Sequence, residues 1–125
     1  MDRADWIDIR THPPTEADCP SGYVIVWHAY QRTMVVRYEN YNSNPMFTHW
    51  QPVPVDGWIS YAERLPTHED GDVQQCVLIR YDEGEDEEDG IIVSGWHRYQ
   101  RDRFCLAWQH TPPPPKDYLK YRNLF

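Results

Sequence analysis

The sequence predicts a mainly β protein (β-rich α+β) built from two tandem copies of one small antiparallel β-meander, with at most short helical turns. Three observations predict it. Short runs of β-branched and aromatic residues recur along the chain, eleven prolines punctuate them, and the two halves echo each other. Trp6-Ile7 returns as Trp58-Ile59, Pro14-Thr15 as Pro66-Thr67 and Asp18 as Asp70, all at an offset of 52. Later the offset is 58: Tyr38 matches Trp96, Trp50-Gln51 matches Trp108-Gln109, and Pro54 matches Pro112. The six-residue change coincides with an acidic run in the second copy, so a single inserted loop is expected to account for it. The copies are placed at 1–55 and 56–115, with 116–125 as a C-terminal tail.

Each element follows from local composition. In the first copy Asp5–Arg10 reads as one helical turn, Tyr23–His28 and Thr33–Tyr38 as a hairpin about Ala29–Arg32, and Met46–Gln51 as a third strand. The second copy repeats this with Ser60–Arg64 as the turn and Cys76–Tyr81, Gly90–Trp96 and Arg103–Gln109 as strands. Pro13-Pro14, Pro52, Pro54, Pro66 and Pro112–Pro115 bracket the strands, where a missing N–H does least harm to a ladder. A unit of about 50 residues buries little surface alone, so the copies are expected to pack on each other about a pseudo-twofold axis. Trp6, Trp50, Trp58 and Trp108 recur at matched positions, as duplicated core contacts would. Trp27 faces Ile79 or Arg80 in the other copy, depending on register, and so reads as the tryptophan of a pocket or contact surface.

The second copy opens Trp58-Ile59-Ser60-Tyr61-Ala62-Glu63-Arg64-Leu65-Pro66, continues to Gly95-Trp96, and closes Trp108-Gln109-His110-Thr111-Pro112. The first closes Thr48-His49-Trp50-Gln51-Pro52-Val53-Pro54. These segments resemble a domain family found largely in bacteriophages and prophages, domain of unknown function 551. Its pattern is Trp-Ile-x-x-x-x-x-Leu-Pro, a short sheet, and a terminal Thr-His-Trp-x-Pro-Leu-Pro. Ala107 stands opposite His49, and His12-Pro13 opposite Arg64-Leu65, as departures from it. The resemblance implies a β-rich fold and a phage or prophage origin, and no particular chemistry.

Catalytic and metal signatures are missing from the sequence. Histidines stand at 12, 28, 49, 68, 97 and 110 without HxH, HExxH or paired Cys/His spacing, so neither a metal nor another cofactor is expected. His49 is the best single candidate, yet reads as a structural imidazole bonding backbone carbonyls, because the other copy manages with Ala107. His68, followed by Glu69-Asp70-Gly71, reads as part of a solvated turn. There is no GxSxG and no glycine-rich phosphate loop, and Cys76 and Cys105 fall in predicted strands, so an enzyme is not expected. Three cysteines without CxxC spacing read as reduced thiols of a cytoplasmic protein. The longest apolar stretches are too short to span a membrane, and no apolar segment follows Met1-Asp2-Arg3 to suggest a secretory signal.

Charge supplies the sharpest local signal. Asp82, Glu83, Glu85, Asp86, Glu87, Glu88 and Asp89 carry seven carboxylates with no cation among them. Without these seven the net charge of −8 becomes −1, so the acidity belongs to one hairpin loop. Its plain role is a solvated guard against edge pairing. Its functional role is a contact for the basic surface of a host protein. Beyond the following strand lie His97, Arg98, Tyr99, Arg101 and Arg103, a secondary basic and aromatic candidate, too sparse for direct nucleic-acid binding. The leading expectation is a phage-encoded accessory protein that binds and modulates a host protein of anti-phage defence or replication. The alternatives are a small-molecule or nucleotide-binding module with an aromatic pocket between the repeats, and a minor virion structural or assembly component.

Overall fold

The computed structural model describes residues 6–29, 32–72, 75–82, 90–97 and 105–115. Among them the chain is mainly β, with two four-stranded antiparallel sheets of identical order. The first holds β1 (Ile7–Asp8), β2 (Tyr23–His28), β3 (Arg32–Arg37) and β4 (Phe47–Pro52), ordered β1-β4-β2-β3. The second holds β5 (Ile59–Ser60), β6 (Cys76–Tyr81), β7 (Gly90–Gly95) and β8 (Cys105–Gln109), ordered β5-β8-β6-β7. Single 3-10 turns lie at Glu16–Asp18, Tyr38–Asn40 and His68–Asp70, and no helix among the described residues is long and apolar enough to cross a membrane.

The predicted strands are present, and the spatial order departs from a plain meander. β2 and β6 pair with the next strand on one side and with β4 or β8 on the other. Burial explains the choice. The β2 core Val24-Ile25-Val26-Trp27 is buried on both faces, as are Val77-Leu78-Ile79 of β6, so these strands need a neighbour on each side. β3 begins and ends in exposed arginine and sits at the edge. The expected turn at Ser60–Arg64 is present at the end of edge strand β5, where the Glu63 and Arg64 N–H donate to the Ser60 carbonyl (3.0 and 3.1 Å). The one expected at Asp5–Arg10 gives way to edge strand β1, and its equivalent runs from Asp8, whose carbonyl accepts from the N–H of Thr11 (3.3 Å) and His12 (3.0 Å). The Asp8 and Ser60 side chains accept from the backbone N–H of Arg10 (2.8 Å) and Ala62 (3.1 Å), short-range bonds that favour a turn over a continuing strand.

Register makes the duplication exact in kind, residue by residue. Val26 faces Trp50 as Ile79 faces Trp108, and Ile7 faces Trp50 as Ile59 faces Trp108. A bulge interrupts β2–β4 at Trp27/His28 and β6–β8 at Arg80/Tyr81. The freed carbonyls of Thr48 and Leu106 then accept from the N–H of Ile9 (3.1 Å) and Tyr61 (3.2 Å), tying in the edge strands. At the hairpin entry Gly22 (φ +82°) and Gln75 (φ +60°) share the left-handed region, and their carbonyls accept from Tyr38 and Trp96 N–H, both at 3.0 Å. These matches correct the single-loop account of the register change. One extra residue already separates Asp70 from Gln75 relative to Asp18 and Gly22, and the hairpin loop supplies the other five.

The described chain divides into two units, one ending at Val53 but rejoined from Pro112 onward, the other Pro54–Thr111. The boundary therefore falls two residues before the 55/56 expected, and Pro112–Pro115 group with the first unit; the tail 116–125 lies outside the described residues. Hydrogen bonds account for both shifts. Trp6 Nε1–H donates to the Pro113 carbonyl (2.6 Å) and Trp58 Nε1–H to the Pro54 carbonyl (3.0 Å), so each unit is completed by the proline exit of the other sequence copy.

Each unit has its own core. Cys19, Val24, Val26, Phe47 and Trp50 fill the first, with Ile7, Met34, Val36 and Tyr38 packed around them. Val77, Ile79, Cys105 and Trp108 fill the second, with Ile59, Tyr61, Ile92 and Trp96 around them. All three cysteines are free thiols, and burial, with the Asp18 carboxylate beside it, pushes the Cys19 thiol up. Trp50 and Trp108 are core residues as expected, whereas Trp6 and Trp58 are half-buried at the sheet margins.

Candidate functional site

The duplicated frame continues into the 3-10 turns that precede the hairpins. In each copy a threonine and an aspartate three residues later form a reciprocal capping box, Thr15 with Asp18 and Thr67 with Asp70. The chain entering each 3-10 turn, at the end of the turn after β1 or β5, is fastened to the core by an indole: Trp50 Nε1–H donates to the His12 carbonyl (2.6 Å) and Trp108 Nε1–H to the Arg64 carbonyl (2.9 Å). The backbone is the same twice over. The side chains are not.

In the second unit the turn becomes the hub of a polar cluster. Asp70 accepts from the Thr67 N–H (2.7 Å) and hydroxyl (3.0 Å), and from Arg64 Nη1 (3.0 Å) and Nη2 (3.3 Å) in a two-pronged pair. His110 Nε2 lies 3.0 Å from Asp70 Oδ1. The Asp70 side chain is only 10% exposed, whereas Arg64 and His110 are about half exposed, at 48% and 55%. Burial alone would raise the Asp70 pKa. That burial is the largest single influence, but the Arg64 guanidinium, the Thr67 amide and hydroxyl and His110 together outweigh it, and the carboxyl is held well below the usual carboxylate range. An ionised carboxylate only accepts, so the His110 Nε2 facing it carries a proton. Arg64 also stacks 4.7 Å over the Trp108 ring, which meets His110 edge-on at 5.4 Å.

On its other side the same turn presents an imidazole and indole group. Trp96 stands edge-on to His68 (6.2 Å) and to His97 (5.4 Å), with both imidazoles exposed. Below it, Asp72 accepts from Cys76 N–H (3.0 Å) and from the Thr111 hydroxyl (2.9 Å), anchoring the turn to β6 and to the chain leaving β8. In the first copy the counterparts of Arg64, His68, His97 and His110 are His12, Glu16, Glu39 and Pro52. The second copy has thus gained an arginine and three imidazoles around one turn. No group of three or more His, Cys, Asp or Glu among the described residues could hold a metal ion, and what the cluster offers is a surface of hydrogen-bond donors and ring faces.

The sequence candidates fare differently. His97 joins this surface, and His68, read from sequence as part of a solvated turn, is exposed beside Trp96. No local pattern unites Arg64, Asp70 and His110, because 6 and 40 residues separate them; the copies differ at Arg64 and His110 and agree at Asp70. Asp82 is exposed at the end of β6, while the remainder of the acidic run, 83–89, and the basic candidates Arg98, Tyr99, Arg101 and Arg103 lie outside the described residues.

Trp27 requires a correction. It is 2% exposed and edge-on to Trp6 at 6.0 Å, so it is not an open contact ring. Register settles its counterpart as Arg80, which lies 5.5 Å over Trp58, so an aromatic pair in one copy is a cation–π pair in the other. His49 is buried, with Nδ1 2.8 Å from the Thr48 hydroxyl in the β4 bulge. No family model, curated protein or solved structure matches the chain.

Proposed function

We propose that the chain acts by binding a protein partner and not as an enzyme, with the contact carried by the second unit. One observation carries this reading. In a duplicated fold the shared residues are scaffold, and here strands, bulges, capping boxes and core tryptophans are shared. The exposed side chains that differ concentrate in one copy: Arg64, His68, His97 and His110 around the 3-10 turn, and the seven carboxylates of 82–89 in the sequence between β6 and β7. Function is grafted on scaffolds through such loops. A seven-carboxylate run fits the basic surface of a partner, by complementarity that steers encounter and fixes orientation. The resemblance to a phage and prophage domain family extends the reading to a phage-encoded accessory protein acting on a host defence or replication protein in the host cytoplasm.

Affinity capture from host lysate at low and high salt tests it, using three baits: the native chain, a chain with residues 82–89 neutralised to Ser and Asn, and His68→Ala/His97→Ala/His110→Ala. A partner held by the native chain at low salt, and lost on neutralising the acidic run, supports the reading. Undiminished capture by both variants overturns it.

A further inference from the structure

The chain leaving β8 carries an unbroken proline run, Pro112–Pro115. Each ring fixes its own φ and confines the residue before it to extended backbone, so the run is held in the polyproline II helix, with about three residues to a turn. Burial follows that period: Pro112 and Pro115 are buried, and Pro113 and Pro114 between them are exposed. Prolines offer no N–H, so their carbonyls are all that a hydrogen-bonding partner can read. Trp6 Nε1–H donates to the Pro113 carbonyl at 2.6 Å, and among the described residues no other hydrogen bond reaches the run. Trp6 itself stands edge-on to Trp27. An indole donor beside a second aromatic ring is how proline-rich segments are bound in general. The second copy lacks this combination. There Trp58 Nε1–H meets the Pro54 carbonyl (3.0 Å) of Pro52-Val53-Pro54, and the neighbour of the indole is Arg80 in place of Trp27. Unbroken prolines and paired tryptophans occur together, in the first unit.

We propose that Trp6 and Trp27 mark a recognition site for proline-rich segments, filled in the isolated chain by its own Pro112–Pro115 and taken over by a proline-rich segment of a partner protein. The occupant on the page defines the ligand: a polyproline II strand with prolines three apart, as at Pro112 and Pro115, and a carbonyl turned to the indole. Nothing else in the fold holds the run in place by hydrogen bonding among the described residues. It belongs to neither sheet, and its departure breaks one indole bond and uncovers two proline rings. A foreign run of the same geometry restores both, and being preformed it loses little conformational freedom on docking. The tethered run is then a built-in competitor, lowering the affinity for an outside ligand by the fraction of molecules whose site stands open. This inference needs only the first unit and stands apart from the contact proposed for the second.

Calorimetric titration of the full chain with an oligoproline peptide, together with spectra of the indole N–H resonances, tests it. The expected result is weak, saturable binding that moves the Trp6 Nε1–H signal, and no binding of a Gly-Ser peptide of equal length. Pro112→Ser/Pro115→Ser keeps the fold by circular dichroism and binds oligoproline about tenfold tighter, because the tethered competitor is weakened. Trp6→Phe keeps a ring, removes the donor and weakens binding about fivefold or more, whereas Trp58→Phe leaves it unchanged. Absence of oligoproline binding in both the native chain and Pro112→Ser/Pro115→Ser overturns the proposal. So does binding that survives Trp6→Phe undiminished. A Pro112→Ser/Pro115→Ser chain that unfolds overturns it as well, since the run would then be scaffold. So would a native dimer that this variant abolishes, since the occupant would then be a second copy.

Discussion

Trp50 and Trp108 occupy one position of a frame built twice: each faces the third residue of its central strand's buried run, Val26 or Ile79, and each indole N–H reaches back to the carbonyl two residues before a proline. The bond ties a surface turn to the sheet that covers the core. Each ring thus holds packing and connection together, which is why this residue type recurs where neighbours have drifted.

Truncating either ring should be severe. Trp50→Ala and Trp108→Ala are expected to cost about 3–5 kcal/mol each, enough to unfold a small domain. Trp27→Ala should fall in the same range, because the ring is 2% exposed and packs on Trp6. Urea unfolding midpoints check this, and a much smaller loss at Trp27 would contradict the burial.

Asp70 makes the second unit sensitive to acid. Its folded pKa is held well below the usual range, while the unfolded carboxyl titrates near ~3.9. The unfolded chain takes up the proton first, so the stability from Asp70 is full above that value and is lost as pH falls toward the folded pKa. Asp70→Asn should flatten this acid limb and cost about 1.5–3 kcal/mol at neutral pH, where charge-assisted hydrogen bonds are lost. Asp18→Asn, where the carboxylate serves a capping box on an exposed turn, should cost about 1 kcal/mol. Denaturant melts between acid and neutral pH compare the two.

Gln75 holds at φ +60° the role that Gly22 fills at φ +82°. A side chain in the left-handed region costs about 1–2 kcal/mol, and glycine escapes most of it at some entropic cost in the unfolded chain. Gln75→Gly should therefore stabilise the protein by about 0.5–1 kcal/mol, and Gly22→Ala should destabilise it by a similar amount. Thermal melts of the two variants should move in opposite directions.

Neutralising the acidic run to Ser and Asn should leave the melting temperature unchanged or raise it slightly, since seven like charges repel one another. The first copy completes the same hairpin across three residues, 29–31, without any carboxylate. A large fall in melting temperature would show that the run serves the fold.

The sequence by itself determined the duplication, its β character and the strands of both hairpins, because these rest on local composition and on spacing: Tyr23–His28 and Cys76–Tyr81 are bounded as read. It also marked Trp50 and Trp108 as core, through recurrence. Only the tertiary structure decided what depends on partners distant in the chain. Strand order was one such matter, since composition does not say that β4 passes β3 to reach β2. Another was the edge role of Ile7 and Ile59, whose two-residue strands exist through pairing with Trp50 and Trp108 and carry no periodic signal of their own. The proline exits exchanged between the copies, the pairing of Trp27 with Trp6, and the meeting of Arg64, Asp70 and His110 were decided there too. Hydrogen bonds and ring contacts of this kind act over a few ångströms of space and leave no period in the sequence; a local pattern records what a residue prefers, and the folded chain alone decides what it meets.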